Sequence, residues 1–379
     1  MKMGKWARLL LAAAPLVAGC GDFWQAPGTS SSTTITPTTL SSGYFYVLDS
    51  ATGQVIAYDI VSGTLTEVAS YALPSAPLAI AVAPNNEFLY VSTLNGIYLY
   101  TISSGALTLY SSTPITADPA TAMQVDSTDA WLVEASGSGY LYAIPISSTG
   151  ALNGSCSACH VPLTGGTVNQ LAIAPDNDYI FVAGGTSGTA AFAFTAGNTD
   201  PFGSAAYATI GVETSSAGAA LSVAVDPSNR LLYIGEADAV SNSGGGLRAF
   251  TIGSGGALTE ITGSPLASGG TGPRTILPKS TGDYVYVANW SGTSTGNITG
   301  FEIAANGSSY SLTKLSTSVA TGIEPVGLVE DSSDQFVLAV SEGGSPYLDA
   351  YFFDTTTAGQ LDTTITSSTF AASGIAAQH

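Results

Sequence analysis

Apolar and polar positions alternate along most of this chain in short runs, broken at regular intervals by Pro, Asp, Asn and Ser. Period-two alternation predicts strands, and breaks of that composition predict tight turns. One pattern recurs: a start rich in small and apolar residues, a turn, then an aromatic-rich strand. It is seen in Pro77–Val91 (PLAIAVAPNNEFLYV), Val168–Val182, Ala220–Ile234, Pro273–Val287 and Pro325–Ala339, with Ala120–Glu134 as a weaker copy. Equivalent turn positions are Pro84, Ser127, Pro175, Pro227, Ser280 and Ser332, spaced by 43, 48, 52, 53 and 52 residues.

Two more strands follow in each unit. The third ends near Tyr58, Tyr100, Ile144, Phe194, Phe250, Phe301 and Tyr351; the fourth begins near Gly-x-Leu, as at Gly105/Leu107, Gly150/Leu152 and Gly359/Leu361. Four short antiparallel strands at a period of roughly 40–50 residues predict the blades of a β-propeller, with the aromatics stacked between sheets. The first unit lacks an innermost strand and opens on Gly43–Asp49, the counterpart of Glu87–Thr93. The final residues, Ala372–His379, supply the missing strand, with Ile375 falling where Ile80 falls. The expectation is an all-β, seven-bladed β-propeller closed by its C-terminal strand, which removes free sheet edges.

The repeat Pro-x-x-Ile-x-x-x-Pro-x-x-x-Phe-x-Tyr-Val resembles that of the seven-bladed propellers grouped with 6-phosphogluconolactonase, and the resemblance covers the chain after Ser42. It implies a lactonase whose blade-six segment reads Gly-Pro-Arg-His, followed after the turn by Tyr-Val-x-Asn-Glu. Here the segment reads Gly272-Pro273-Arg274-Thr275, then Tyr286-Val287-Ala288-Asn289-Trp290. Arginine and asparagine are retained, whereas Thr275 and Trp290 replace the histidine and glutamate. Lactone opening needs a base to activate water and a group to steady the oxyanion. Arg274 suits the second task; the only histidines are His160 and His379.

The N-terminus sets the expected compartment. Lys2, Lys5 and Arg8 precede an apolar run too short to span a bilayer, which ends in Leu16-Val17-Ala18-Gly19-Cys20. This is the form of a signal peptide with a bacterial lipobox, and it implies acylation of Cys20. Gly21 after the cysteine resembles lipoproteins released to an outer membrane. Residues 1–19 thus read as a lipoprotein signal peptide, 20–42 as lipidated cysteine and Ser/Thr/Pro-rich tether, and 43–379 as the propeller. The expected location is the bacterial cell envelope, with membrane contact through the palmitate-type anchor only and the remainder soluble.

Charge narrows the partners. The chain has 8 basic and 27 acidic residues, a net −19. Without residues 1–19 only five basic residues remain, which excludes nucleic acid as a partner, since phosphate backbones need clustered Lys and Arg. The expected partner is a small molecule or an envelope protein, and the expected state a monomer. An acidic, weakly charged surface also suits an acidic exterior, where carboxylates are neutral.

In a propeller the starts of first strands and the ends of second strands share one mouth. That places Asp49, Glu236, Asp238, Arg274, Asn289, Trp290, Glu324 and Glu342 around it, with Asp118 slightly upstream and loops at 236–246 and 289–297. Arg274 reads either as a clamp for a carboxylate or phosphate or as an ion-pair partner of Glu324 or Glu342. Trp290 reads as a stacking surface or a packed rim residue. Glu134 occupies a buried strand position, as an acid/base group with raised pKa or through a register shift in the weakest blade. Asp49, Glu236, Asp238 and Glu342 together offer oxygens for Ca²⁺, although no local spacing resembles a calcium loop and no cofactor is required.

Cys156-Ser157-Ala158-Cys159-His160 has the spacing of c-type haem attachment, with thiols for the vinyl groups and His160 for the iron. A rim disulfide or redox-labile pair is the competing reading in an oxidising compartment. Three functions follow in order. The first is a non-catalytic, membrane-anchored binding module. The second is a lactone hydrolase using Arg274 with Glu134, Glu236 or Glu342. The third is a haem electron carrier.

Overall fold

A computed structural model describes residues 41–379 apart from 62–63, 117–118, 154–158, 166, 203–206, 214–217, 241–243 and 368–370. The expected signal peptide, Cys20 and the tether up to residue 40, together with Asp118 and Cys156, lie outside the described residues, and residues 41–42, expected in the tether, belong to the first strand. The described chain is all β, with strands paired antiparallel throughout and one short 3-10 turn at Ser254–Gly256. No helix among these residues is long and apolar enough to cross a membrane.

The strands follow one another as sheets. β1 (Ser41–Asp49), β2 (Gln54–Val61) and β3 (Thr64–Ala72) open the first. β4 (Pro77–Val82), β5 (Phe88–Thr93), β6 (Gly96–Ser103) and β7 (Ala106–Leu109) form the second. β8 (Ala120–Val125), β9 (Trp131–Ser136), β10 (Tyr140–Pro145) and β11 (His160–Pro162) form the third. β12 (Gln170–Ile173), β13 (Tyr179–Ala183), β14 (Thr189–Ala193) and β15 (Ala208–Ile210) form the fourth. β16 (Ala219–Val225), β17 (Leu231–Ala237), β18 (Gly246–Ile252) and β19 (Leu258–Glu260) form the fifth, with β20 (Leu266–Ala267) also on β18. β21 (Gly272–Pro278), β22 (Tyr284–Ser291), β23 (Ser294–Asn306), β24 (Ser309–Glu330), β25 (Phe336–Gly344), β26 (Leu348–Phe353) and β27 (Leu361–Ser367) make one continuous sheet. β28 (Ala372–Ala377) then pairs with β1 and completes the first sheet.

The repeat sets the register. The pair Ile80–Val91 between β4 and β5 recurs at equivalent positions as Met123–Glu134, Leu171–Val182, Val223–Ile234, Ile276–Val287 and Leu328–Ala339. At the seam it recurs as Ile375–Val47, the pairing anticipated from sequence. Glu134 keeps this register, so its unusual place owes nothing to a slipped strand. Two expectations need correction. Residues 289–297 form no loop: Asn289 pairs with Asn297 and Ser291 with Ser294, so a tight hairpin joins β22 and β23. And the last two units share a strand: β24 runs unbroken from its pairing with β23 into its pairing with β25, while the two halves still pack face to face through Tyr286, Ala288, Val337 and Ala339.

Both faces of these strands are apolar, so each sheet is buried by its neighbours. Tyr46 and Leu48 of β1 pack on Leu89 and Val91 of β5, and comparable clusters join each sheet to the next. The chain's final strands return to the start: Phe336, Leu338 and Val340 pack on Phe45, Val47, Ile56 and Tyr58. The Gly-x-Leu element has a steric origin. Gly150 has φ +77°, and a Cβ there would sit 2.5 Å from the Phe88 ring of the preceding sheet. The Tyr90 hydroxyl donates to the Gly150 carbonyl at 2.8 Å. Gly359 meets Tyr284 in the same way, with Tyr286 donating to its carbonyl at 2.7 Å.

At the hairpin end of the inner strands, neighbouring turns are tied together. Asn85 N donates to Asp129 Oδ1, Ser127 Oγ to Pro175 O, Ser280 Oγ to Asp334 Oδ1, and His379 N to Asn86 Oδ1. Gly150→Ala combines a left-handed backbone with a clash against a buried ring. We expect it to lower unfolding stability by about 2–4 kcal/mol in denaturant titration, where a loss under about 0.5 kcal/mol overturns this account.

Candidate functional site

The innermost strands surround a channel of about 760 Å³, lined from β4, β8, β12, β16, β21, β24 and β28. It is held open by small side chains at the positions that face inward, among them Ala79, Ala81, Ala122, Ala172, Ala224, Gly327 and Gly374. Its volume is that of a small-ligand site.

One position in the inner strands is special. Between Pro77 and Ala79, Ala120 and Ala122, Ala220 and Ser222, Pro273 and Thr275, Pro325 and Gly327, and at the seam between Ala372 and Gly374, the pairing slips by one residue. The extra residue of such a bulge is freed from the ladder and its side chain re-aimed. Those residues are Leu78, Thr121, Leu221, Arg274, Val326 and Ser373; all but Leu221 line the channel, as does the equivalent Asn169. Among the described residues the lining thus has one permanently charged side chain, Arg274, in a ring otherwise neutral.

Arg274 is held on two sides. Its guanidinium carbon lies 4.9 Å from the Trp290 ring centroid, and Nη2 stands 3.5 Å from Glu324 Oε1. The two side chains are 32% and 34% exposed, so water screens this long ion pair to about 1 kcal/mol or less. Its Nε is buried without a hydrogen-bond partner, and so is Ser373 Oγ. Glu324 comes from β24 at φ +59°, a left-handed conformation uncommon for a residue with a side chain.

The other residues singled out from sequence are elsewhere engaged. Asp49 is buried and caps its own hairpin, accepting from Ala51 N at 3.0 Å and Thr52 Oγ1 at 2.6 Å. Asn289 is buried and donates to Ser268 O at 2.8 Å and Asn297 Oδ1 at 3.0 Å, locking the β22–β23 hairpin. Glu134 is buried within β9 and outside the channel lining. Asp238 is half-buried at φ +55°, and Glu342 is exposed. Among the described residues no group of three or more His, Cys, Asp or Glu side chains is placed to hold a metal ion. His379 lines the channel six positions further along than the Arg274 level, at the hairpin end. At about 3.3 Å per residue that is roughly 20 Å away, too far for joint chemistry with Arg274. Burial lowers the His379 pKa, with Asp129 opposing.

Cys159 is buried and disulfide-bonded; the chain's other cysteines, Cys20 and Cys156, lie outside the described residues. His160 is exposed on β11 against the rings of Tyr140 and Tyr142, with centroids at 5.2 and 5.5 Å.

No protein-family model and no curated protein sequence matches this chain. Solved structures do. A putative 6-phosphogluconolactonase from Bacteroides uniformis superposes with a TM-score of 0.68 at 18% identity, covering 88% of this chain and 98% of that one. A second, from Bacteroides fragilis, gives 0.66 at 15% identity over 90% and 98%. Hydrazine synthase from Kuenenia stuttgartiensis gives 0.58 at 12% identity over 88% and 100%. At these identities the likeness is one of fold, that of a β-propeller.

Several buried polar groups outside the channel escaped the sequence reading, Arg248 and Asp349 among them. Arg248 on β18 reaches Glu236 at 3.2 Å, Glu260 at 2.8 Å and Glu213 at 3.5 Å, and donates to Gly211 O. Glu236 is therefore a buried ion-pair partner; burial still raises its pKa, with the Glu213 amide and Arg248 opposing. The available signal was an arginine on an apolar strand two residues from a buried phenylalanine, in a chain with few cations. Asp349 on β26 is another, 2% exposed, with no hydrogen bond to Oδ2; the neighbouring Tyr351 hydroxyl donates to Ala320 O. Burial pushes the Asp349 carboxyl up to about 6 from the ordinary 3.8, with the Tyr351 hydroxyl and the Gly322 amide opposing.

An acid whose pKa is raised by folding binds more protons folded than unfolded between the two values. Stability is therefore lost as pH rises from about 4 to about 6, by about 3 kcal/mol in all. We expect Asp349→Asn to flatten the stability profile over this range and to gain on the wild type as pH rises to 7. Parallel denaturation profiles for the two proteins across pH 4–7 would contradict the assignment.

Proposed function

We propose that this chain is an exported, lipid-anchored, seven-bladed propeller whose channel binds a small organic anion at Arg274. The observation that carries this reading is the lone guanidinium at a bulge in a channel ring of neutral residues, braced by an aromatic face and only weakly paired. A cation so placed gains a strong, charge-assisted partner when a carboxylate or phosphate arrives. The blade count rests on the recurring strand pair and the return of the last strands onto the first; the anchor rests on the lipobox at Cys20. In an oxidising envelope Cys156 is the natural disulfide partner for Cys159. A sulfur held in a disulfide has no thiolate to bond a porphyrin vinyl group, so we favour the disulfide over haem.

The fold likeness favours one second reading, lactone hydrolysis. Against it, the lining around Arg274 offers no histidine, and Glu324 is the sole carboxylate in contact with the guanidinium among the described residues. Binding without catalysis is the stronger account.

Titration calorimetry of the purified protein with gluconate, 6-phosphogluconate, benzoate and phthalate tests the first reading. At least one should bind, and Arg274→Gln should weaken it about tenfold or more, the cost of one charge-assisted hydrogen bond. Silence from all four removes the proposal. Hydrolysis of 6-phosphogluconolactone should stay at the uncatalysed rate; turnover lost in Arg274→Gln would favour the lactonase. Metabolic labelling with an alkyne-bearing palmitate should tag the wild type and not Cys20→Ala, and equal labelling of both excludes the anchor at Cys20.

A further inference from the structure

Among the described residues the side-chain partner of Glu324 is Arg274. Glu324 lies at a left-handed position in β24, inside the register slip between Ile323 and Pro325, and its carboxylate reaches the guanidinium of the channel-lining Arg274. Non-glycine residues in that conformation persist where the surroundings hold them, and such strain gathers at binding sites. Its hydrogen-bonding contact with Arg274 is long, at 3.5 Å, and both groups are about one third open to water. A pair of that kind adds little to stability. What it does alter is the charge that a ligand meets.

With Glu324 ionised, the Arg274 site is neutral before any ligand binds. A ligand carboxylate that takes over the guanidinium leaves Glu324 within a few ångströms. A first negative charge is accommodated by the arginine. A second has no cation to meet in the described lining, where Arg274 stands alone, and faces Glu324 instead. The rest of the ring, Thr121, Asn169 and Ser373, offers neutral hydrogen-bonding groups and no further charge. Like charges held close in a site partly removed from water repel strongly.

We infer that Glu324 is a specificity-determining residue that restricts the Arg274 site to singly charged carboxylates and rejects ligands bearing a second anionic group. The inference rests on the anion-binding reading above and deepens it by naming the ligand's charge class. It also separates this chain from any phosphorylated sugar acid or lactone as preferred ligand.

Two matched pairs of probes share a skeleton and differ in charge: gluconate with 6-phosphogluconate, and benzoate with phthalate. Calorimetry on the full chain, at fixed pH 7.5 and low salt, should show the singly charged member of the binding pair at least tenfold tighter. Glu324→Gln should close that gap to under threefold, chiefly by improving the doubly charged member. Glu324→Gly, which suits the φ of +59° and so guards against a folding defect, should do the same. Raising the salt concentration should shrink the wild-type gap more than the gap in Glu324→Gln, because screening weakens charge repulsion. A wild type that binds both members equally, or a gap unchanged in both variants, overturns the role of Glu324 while leaving anion binding intact. Failure of all four probes to bind the wild type instead overturns the anion site itself.

Discussion

The whole architecture depends on one ladder, the pairing of β28 with β1. Each sheet is apolar on both faces and gains stability only when a neighbour covers each face. For interior sheets the neighbours come next in sequence. The first and last must find each other across the length of the chain, and they do so through Phe336, Leu338 and Val340 packed on Phe45, Val47 and Tyr58. The ladder from Phe45–Ala377 to Val47–Ile375 fixes that meeting in register. The channel exists because the circuit is complete, and Arg274 faces it because the inner strands are held side by side.

Much of this was legible in the residues. Turn chemistry and small-apolar starts located the hairpins, and aligning Ile375 with Ile80 placed the closing strand to the residue. The hairpin at 289–297 was misread because Asn, Ser, Thr and Gly compose loops as well as tight turns; only the Asn289–Asn297 hydrogen bond distinguishes them. The continuous β24 escaped for a similar reason, since nothing in residues 316–322 announces whether the chain pauses between two pairings. The polar groups were read least well. Asp49 and Glu236 were grouped at a mouth by their carboxylates, yet one caps its own turn and the other sits in the Arg248 network. Burial and ion pairing depend on residues far apart in sequence, and a charge pattern does not show which carboxylate already has a partner. Arg274 was located correctly along its strand, but the slip that frees it from the ladder becomes visible only once both strands are laid together.

The fold leaves chemistry open. Proteins named as lactonases and a hydrazine synthase share this architecture at low identity, which is what a rigid scaffold with variable inner residues allows. In this chain the inner positions among the described residues are apolar or neutral polar side chains, with the guanidinium as the one permanently charged group. The site's character is therefore a matter of one charge and its immediate company.

The placement of β1 has a mechanical meaning. It is flanked on one side by β2 and on the other by β28, so it is an interior strand of its sheet. A pull delivered through the residues before Ser41 loads two rows of hydrogen bonds lengthwise and together, which resists far better than peeling an edge strand one bond at a time. Were the chain moored through its amino end, as proposed, the tension would be shared at that point, and the same seam that closes the circuit would bear the strain of the mooring.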